Sequence, residues 1–288
     1  MTGFPRVAVL GAGIMGCSLA LKLARHGARV TLFDAASAPF SGASRWNEGK
    51  IHLGYLYNAD SSLRTAQHIM PGGLRFRPLV EELIGCSLAP AISADDDIFL
   101  CHRDSLVAPD RMESYLQQVG ELVRSHPDAR HYLHDVRAAD ASRLSPQELS
   151  GLTDSSEILA GFRVPERSVQ TNWVADRFVD AVQGEPNIAL ALNERVLAAR
   201  PEREDLEGRW QVDTTVGHFG GFDAVVNALW EGRMAVDQTA GIQPAGVWSN
   251  RYRQSVFVTT REPLDLPCVV VATGPFGDIK NYDGQHFY

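Results

Sequence analysis

The sequence predicts an α/β fold, a parallel sheet wound with helices, joined to a second, β-rich (α+β) part. Two observations carry this: the chain opens on a strand–glycine turn–helix–strand succession, and its later portion alternates short strands with one clear helix. The opening strand is the aliphatic run Val7-Ala8-Val9-Leu10, which leads into Gly11-Ala12-Gly13-Ile14-Met15-Gly16, a G-x-G-x-x-G spacing. Leu19, Ala20 and Leu23 then recur at helical spacing among polar Lys22 and Arg25, and Gly27 supplies the stop. Arg29-Val30-Thr31-Leu32-Phe33 reads as the second strand and ends in Asp34. Each part has a mechanical reason. Gly11 permits the tight turn, Gly13 lets backbone N–H groups approach a pyrophosphate, and Gly16 lets the helix pack on the strand. Asp34 is placed to accept hydrogen bonds from a ribose diol, and the helix N-terminus adds partial positive charge for the phosphates. Ile14, Met15 and Ala35, adjoining these positions, complete the expected nucleotide contacts. The unit is Rossmann-like and predicts dinucleotide binding. Asp34 would repel a 2′-phosphate, which disfavours NADP and leaves NAD and FAD open.

At 288 residues the chain has room for about two domains. It is 44% hydrophobic and 22% charged, proportions that exclude disordered and fibrous classes. Lys and Arg number 27 against 35 Asp and Glu, a net charge of −8 with no basic run, so no nucleic-acid partner is expected. Cys17, Cys86, Cys101 and Cys268 stand apart without a C-x-x-C pair, which predicts neither a disulfide scaffold nor a zinc site and fits a cytoplasmic setting. No apolar stretch approaches the roughly 18–20 residues of a bilayer span.

The segment from Pro39 to Tyr57 narrows the cofactor. An NAD-binding unit usually runs quickly from its second strand into another helix, whereas here a Gly/Ser/Asn loop follows, as if the backbone wraps a ligand. The string Ser44-x-x-Asn47-x-Gly49-x-Ile51-His52-x-Gly54-x-x-Tyr57 resembles the D-amino-acid-oxidase-like superfamily of FAD-dependent oxidoreductases, most of all its L-2-hydroxyglutarate dehydrogenase type. The resemblance implies FAD as cofactor, with Ser44, Arg45, Asn47 and Gly49 along the pyrophosphate, ribityl chain and flavin ring, and Lys50 and Ile51 beside them. It further implies that Val196 contacts adenine, that Asp223–Trp230 holds the second dinucleotide strand, and that Ala228 and Trp230 lie at the flavin. Here the sequence departs from the family, whose usual Ala-x-Gly-x-Trp reads Ala228-Leu229-Trp230-Glu231-Gly232 in this chain, without that glycine. The family's C-terminal glycine-rich loop and helix are not found before Tyr288, so a homo-oligomer or a partner chain completing the site is expected.

The implied organisation is a discontinuous FAD-binding domain, residues 1–85 and 161–237, and a β-rich substrate domain, residues 86–160 and 238–288, incomplete at its C-terminus. Within these, Asp97–Cys101 reads as a strand, and Pro109–Arg124 as a helix with Met112, Leu116, Val119 and Val123 on one face. Ser145-Pro146-Gln147-Glu148 reads as a capped helix start, and Tyr252–Thr260 and Val269–Val271 as strands. Met70-Pro71-Gly72-Gly73 is expected to break the helical pattern from Ser62 to Ile84.

The implied chemistry is removal of a hydride from a CH–NH or CH–OH group of a small amino or hydroxy acid. His52 is the candidate catalytic base, because imidazole titrates near neutral pH; a role limited to hydrogen bonding is the alternative. Tyr55 and Tyr57 are read as packing. Arg251 and Arg253 are candidates for a substrate carboxylate, or a solvated face. Lys50 polarises bound oxygen or the flavin, or lies on the surface. Asp95-Asp96-Asp97 is read as a solvated turn. His126, His131 and His134 are too irregularly spaced for a metal site, and none is expected. Trp46 and Trp248 line a pocket or fill core. Two alternatives stay open: an NAD-dependent hydroxyacid dehydrogenase, and a non-catalytic, partner-dependent FAD-binding subunit.

Overall fold

The computed structural model describes residues 5–202, 209–246 and 254–288. Arg251, Arg253 and Trp248 lie outside the described residues. By contacts the chain divides into two units, one of Met1–Trp46, Leu83–Gly85 and Asn172–Arg253, the other of Asn47–Glu82, Cys86–Thr171 and Gln254–Tyr288.

In the first unit the expected βαβ succession forms: strand β1 (Arg6–Leu10), helix α1 (Ile14–Arg25) and strand β2 (Arg29–Phe33). The sheet is parallel throughout, in the order Ala224–Asn227, β1, β2, Ile188–Ala191. Val7–Leu10 of β1 are all buried, which is why that strand reads as an unbroken aliphatic run rather than as alternation. Val196–Pro201, Trp210–Thr214 and His218–Phe222 form a three-stranded antiparallel sheet. Val196 opens the first of these strands, after the turn that follows Ile188–Ala191. The two sheets share a core of Ala8, Leu10, Phe33, Val212 and Phe222, in which Phe33 meets the edges of Phe219 and Phe222 at 5.2 and 6.1 Å.

The second unit is built on a five-stranded mixed sheet, in the order Asp278–Ile279, Val269–Ala272, Asp97–His102, Ile158–Val164, Ser142–Arg143. The helix Pro109–Ser125 buries Met112, Leu116, Val119 and Val123, the face read from the sequence. The helix Pro146–Leu152 starts on a full capping box between Ser145 and Glu148, worth about 1 kcal/mol.

Two expectations are corrected. The helix Arg64–Leu74 runs through Pro71, Gly72 and Gly73 and yields to Phe76–Ile84 only at Arg75. Buried Met70 and Leu74 hold it despite the donor lost at Pro71. Gly73 serves close approach instead of a break, since a Cβ there would lie 2.3 Å from the His52 carbonyl oxygen. Of the strand expected at Tyr252–Thr260, Val258–Thr259 is the part formed among the described residues, paired with His286–Phe287; Val256 and Val258 are both exposed and face no core. Gly161–Val164 belongs to a strand paired with Asp97–His102, and residues 47–82 pack with that same unit.

Candidate functional site

In the first unit the glycine turn is sterically determined. Gly11 has φ +96°, and a Cβ there would stand 2.9 Å from the Ala228 carbonyl oxygen, itself fixed by the Ala228 N–H donating to Leu10 O at 2.9 Å. A Cβ on Gly16 would lie 1.7 Å from Gly11 O, and one on Gly13 2.9 Å from Ser44 Oγ. Ser44 accepts from Ile14 N at 3.0 Å, so a residue thirty positions on holds the start of α1. The N-cap of α1 is Gly13, and its first turn carries no acidic side chain; its positive end is left for an anion. Asp34 accepts from Ala12 N at 2.7 Å through one oxygen and from Ala36 N at 2.8 Å through the other. Each carboxylate oxygen has a second lone pair, so Asp34 both ties down the turn and retains acceptors for a diol.

Ala35 is exposed just beyond. Met15 is exposed on the first turn of α1, and Val196 is half-buried in its strand. Arg45 donates to Asp176 at 2.7 Å and to Phe40 O at 3.3 Å. Trp230, expected to pack at the flavin, is 88% exposed, because the strand ends at Asn227 and the chain turns outward before Arg233–Thr239. The structure thus brings together Gly11, Gly13, Ile14, Gly16, Asp34, Ser44 and Ala228. These residues fit an adenine dinucleotide: backbone donors at a helix end, space only glycine leaves, and a carboxylate at the tip of β2.

In the second unit the string from Asn47 to His52 is a structural ladder. Asn47 Oδ1 accepts from Gly49 N at 2.8 Å. Gly49 O accepts from Val169 N at 2.9 Å, and Ile51 N donates to Arg167 O at 3.1 Å. Gly49 has φ +66°, and a Cβ there would lie 2.2 Å from Val169 O. This register turns Lys50 inward, neither to the surface nor to a free position: its Nζ pairs with Asp97 Oδ2 at 2.6 Å, the two side chains 2% and 0% exposed. Asp97 is therefore not part of a solvated turn. Burial pushes its carboxyl up against the pull of Lys50 and Lys280. For Lys50, burial pulls down and the Asp97 charge and hydrogen bond hold it up. Asp96 accepts from Arg167 Nε at 3.0 Å. Buried Lys280 donates to the buried Ser168 hydroxyl, and burial lowers its pKa.

His52 keeps a quarter of its side chain exposed, and its Nδ1 lies 3.2 Å from Oε2 of fully buried Glu166. Burial alone would lower its pKa; the Glu166 charge and hydrogen bond outweigh this and raise it above the ordinary imidazole value. Tyr55 is fully buried, as packing requires, and Tyr57 meets the His52 ring edge-on at 6.5 Å. Ser168 and Lys280 were not singled out by the sequence, and neither Asp97 nor Glu166 was given a role at the site. The one available signal was a charged residue directly after the apolar Val164-Pro165. Among the described residues no group of His, Cys, Asp and Glu is placed to hold a metal, and no helix is long and apolar enough to cross a membrane.

The family model of FAD dependent oxidoreductases (DAO) matches residues 6–247. The chain belongs to the FAD dependent oxidoreductase family. FAD is that family's cofactor, and the nicotinamide alternative falls with the assignment. Over 230 residues the chain is 50% identical to the tRNA 5-methylaminomethyl-2-thiouridine biosynthesis bifunctional protein MnmC of Ralstonia nicotianae, covering 75% of this chain and 27% of that protein. It spans a third or less of the length of the curated relatives it matches. Among solved structures, this family member resembles glycine oxidase from Geobacillus kaustophilus, with TM-score 0.66 at 19% identity over 98% of this chain and 70% of that one. Iminodiacetate oxidase from Chelativorans gives TM-score 0.67 at 19% identity with the same coverage. At that identity the two likenesses establish the fold.

Proposed function

We propose that this protein is an FAD-dependent oxidoreductase that takes a hydride from the CH–NH or CH–OH carbon of a small amino or hydroxy acid, with His52 as the base. The observation that carries the cofactor half is the glycine turn closed by Asp34, whose shape and charge suit a dinucleotide without a 2′-phosphate. When bound, FAD supplies the hydride acceptor, chemistry no protein side chain provides. The chain's own part is to hold the nucleotide and to manage the substrate proton. A hydroxyl must lose its proton as the hydride leaves, and a nearby base lowers that barrier. His52 suits this: its ring is part-exposed, and among the described residues its Nε2 has no hydrogen-bond partner. An amine substrate that binds neutral would depend on His52 less.

A second substrate of the same bond class comes from the likeness to MnmC: an aminomethyl group on a nucleobase. The net charge of −8 weighs against a tRNA-sized partner, so the free amino or hydroxy acid is preferred.

His52→Ala is expected to keep FAD and to lose about 10²–10⁴-fold in turnover of hydroxy acids, measured by steady-state kinetics across a panel of amino and hydroxy acids. Full turnover with FAD retained would remove His52 as the base.

A further inference from the structure

We propose that Glu166 is the positioning residue for His52, fixing the imidazole in the tautomer that leaves Nε2 free to take a proton. This rests on the reading of His52 as the base. A carboxylate only accepts hydrogen bonds, so the 3.2 Å contact between Glu166 Oε2 and His52 Nδ1 requires the proton on Nδ1. The neutral ring then presents Nε2 as its acceptor.

The same carboxylate fixes the backbone that carries the ring. Its other oxygen accepts from the amides of Leu53 and Gly54, the two residues after His52. Gly54 has φ +115°, and a Cβ there would lie 2.5 Å from Ala66 Cβ; the His52 carbonyl in turn sits against Gly73. Glu166 is fully buried, so water does not compete for its oxygens, and Tyr132, holding Ile51 O at 2.6 Å, closes the neighbouring stretch. The charged groups that act on the ring are Glu166 and Glu48, which favour its protonated form, and Lys50, which opposes it. Lys50 is itself paired with Asp97, which leaves Glu166 as the partner that touches the ring.

Glu166→Gln separates positioning from mere support. The amide oxygen can still accept from Leu53 and Gly54, which places the NH2 group against Nδ1. That reverses the tautomer: Nδ1 becomes the acceptor and Nε2 carries the proton. Nitrogen-15 NMR of the whole protein, with the His52 signal assigned by its loss in His52→Ala, reads this directly. The expected result is an Nδ1–H tautomer in the unaltered protein and an Nε2–H tautomer in Glu166→Gln. Turnover of the FAD-loaded variant is expected to fall at least about 100-fold, with the acidic limb of its pH profile moved to lower pH and FAD affinity unchanged.

An Nε2–H tautomer in the unaltered protein overturns the proposal, and that measurement does not depend on Glu166→Gln folding. The same tautomer in both proteins overturns it equally. Full turnover in His52→Ala overturns the reading of His52 as base instead, and the tautomer result still decides what Glu166 does.

Discussion

Gly16→Ala is expected to abolish FAD uptake, weakening it by at least about 100-fold, roughly 2.7 kcal/mol. The added Cβ would stand 1.7 Å from Gly11 O and 3.5 Å from a Val9 methyl, so α1 has to move off β1. That movement carries away the Ile14 amide held by Ser44 and the Ala12 amide held by Asp34, the two bonds that shape the cradle. Overpacking of this kind also costs about 1–3 kcal/mol of stability. FAD titration and thermal melts check both effects. Gly42→Ala is the control: nothing lies within 4 Å of its Cβ position, and it should change neither.

Lys50→Met is expected to destabilise the fold by about 3–5 kcal/mol, the usual cost of leaving one member of a buried ion pair alone. Asp97 is fully buried, its Oδ1 has no hydrogen-bond partner among the described residues, and its Oδ2 would lose Nζ. The sign of the pH dependence follows. Burial already raises the Asp97 pKa in the folded state, and loss of Lys50 removes a group that lowers it. A group raised on folding contributes its full stability below its unfolded pKa and loses it as pH rises through the folded value. The deficit of Lys50→Met should therefore shrink on acidification, and a second change, Asp97→Asn, should recover much of it near neutral pH. Chemical denaturation at several pH values checks this. A deficit that does not depend on pH would mean that lost packing of the lysine stem, not the stranded carboxylate, sets the cost.

These two sites differ in how far the sequence exposes them. Gly11, Gly13, Gly16 and Asp34 are legible because their partners are local: the strand, turn and helix that need them lie within one βαβ unit. The helix Pro109–Ser125 is legible for the same reason, since its buried face repeats at helical spacing. Lys50, Asp97 and Glu166 are not, because three distant segments have to come into register before any of them acquires a partner. Read locally, Asp97 is the third aspartate of an acidic run and looks solvated; the strand that begins at it turns it inward. Gly73 misleads in the opposite direction, reading as a helix breaker when its role is to admit the His52 carbonyl. Trp230 is placed at the flavin by resemblance, while the structure leaves its side chain exposed.

The central claim is that the glycine turn and Asp34 form a working FAD site. Titration of FAD into flavin-free protein, followed by the visible absorption of the bound flavin and equilibrium dialysis, tests it most directly. The expected result is one FAD per chain, uptake that Gly16→Ala abolishes, and no competition from NADP. A protein that stays colourless with FAD in excess, or whose uptake Gly16→Ala leaves intact, would contradict it.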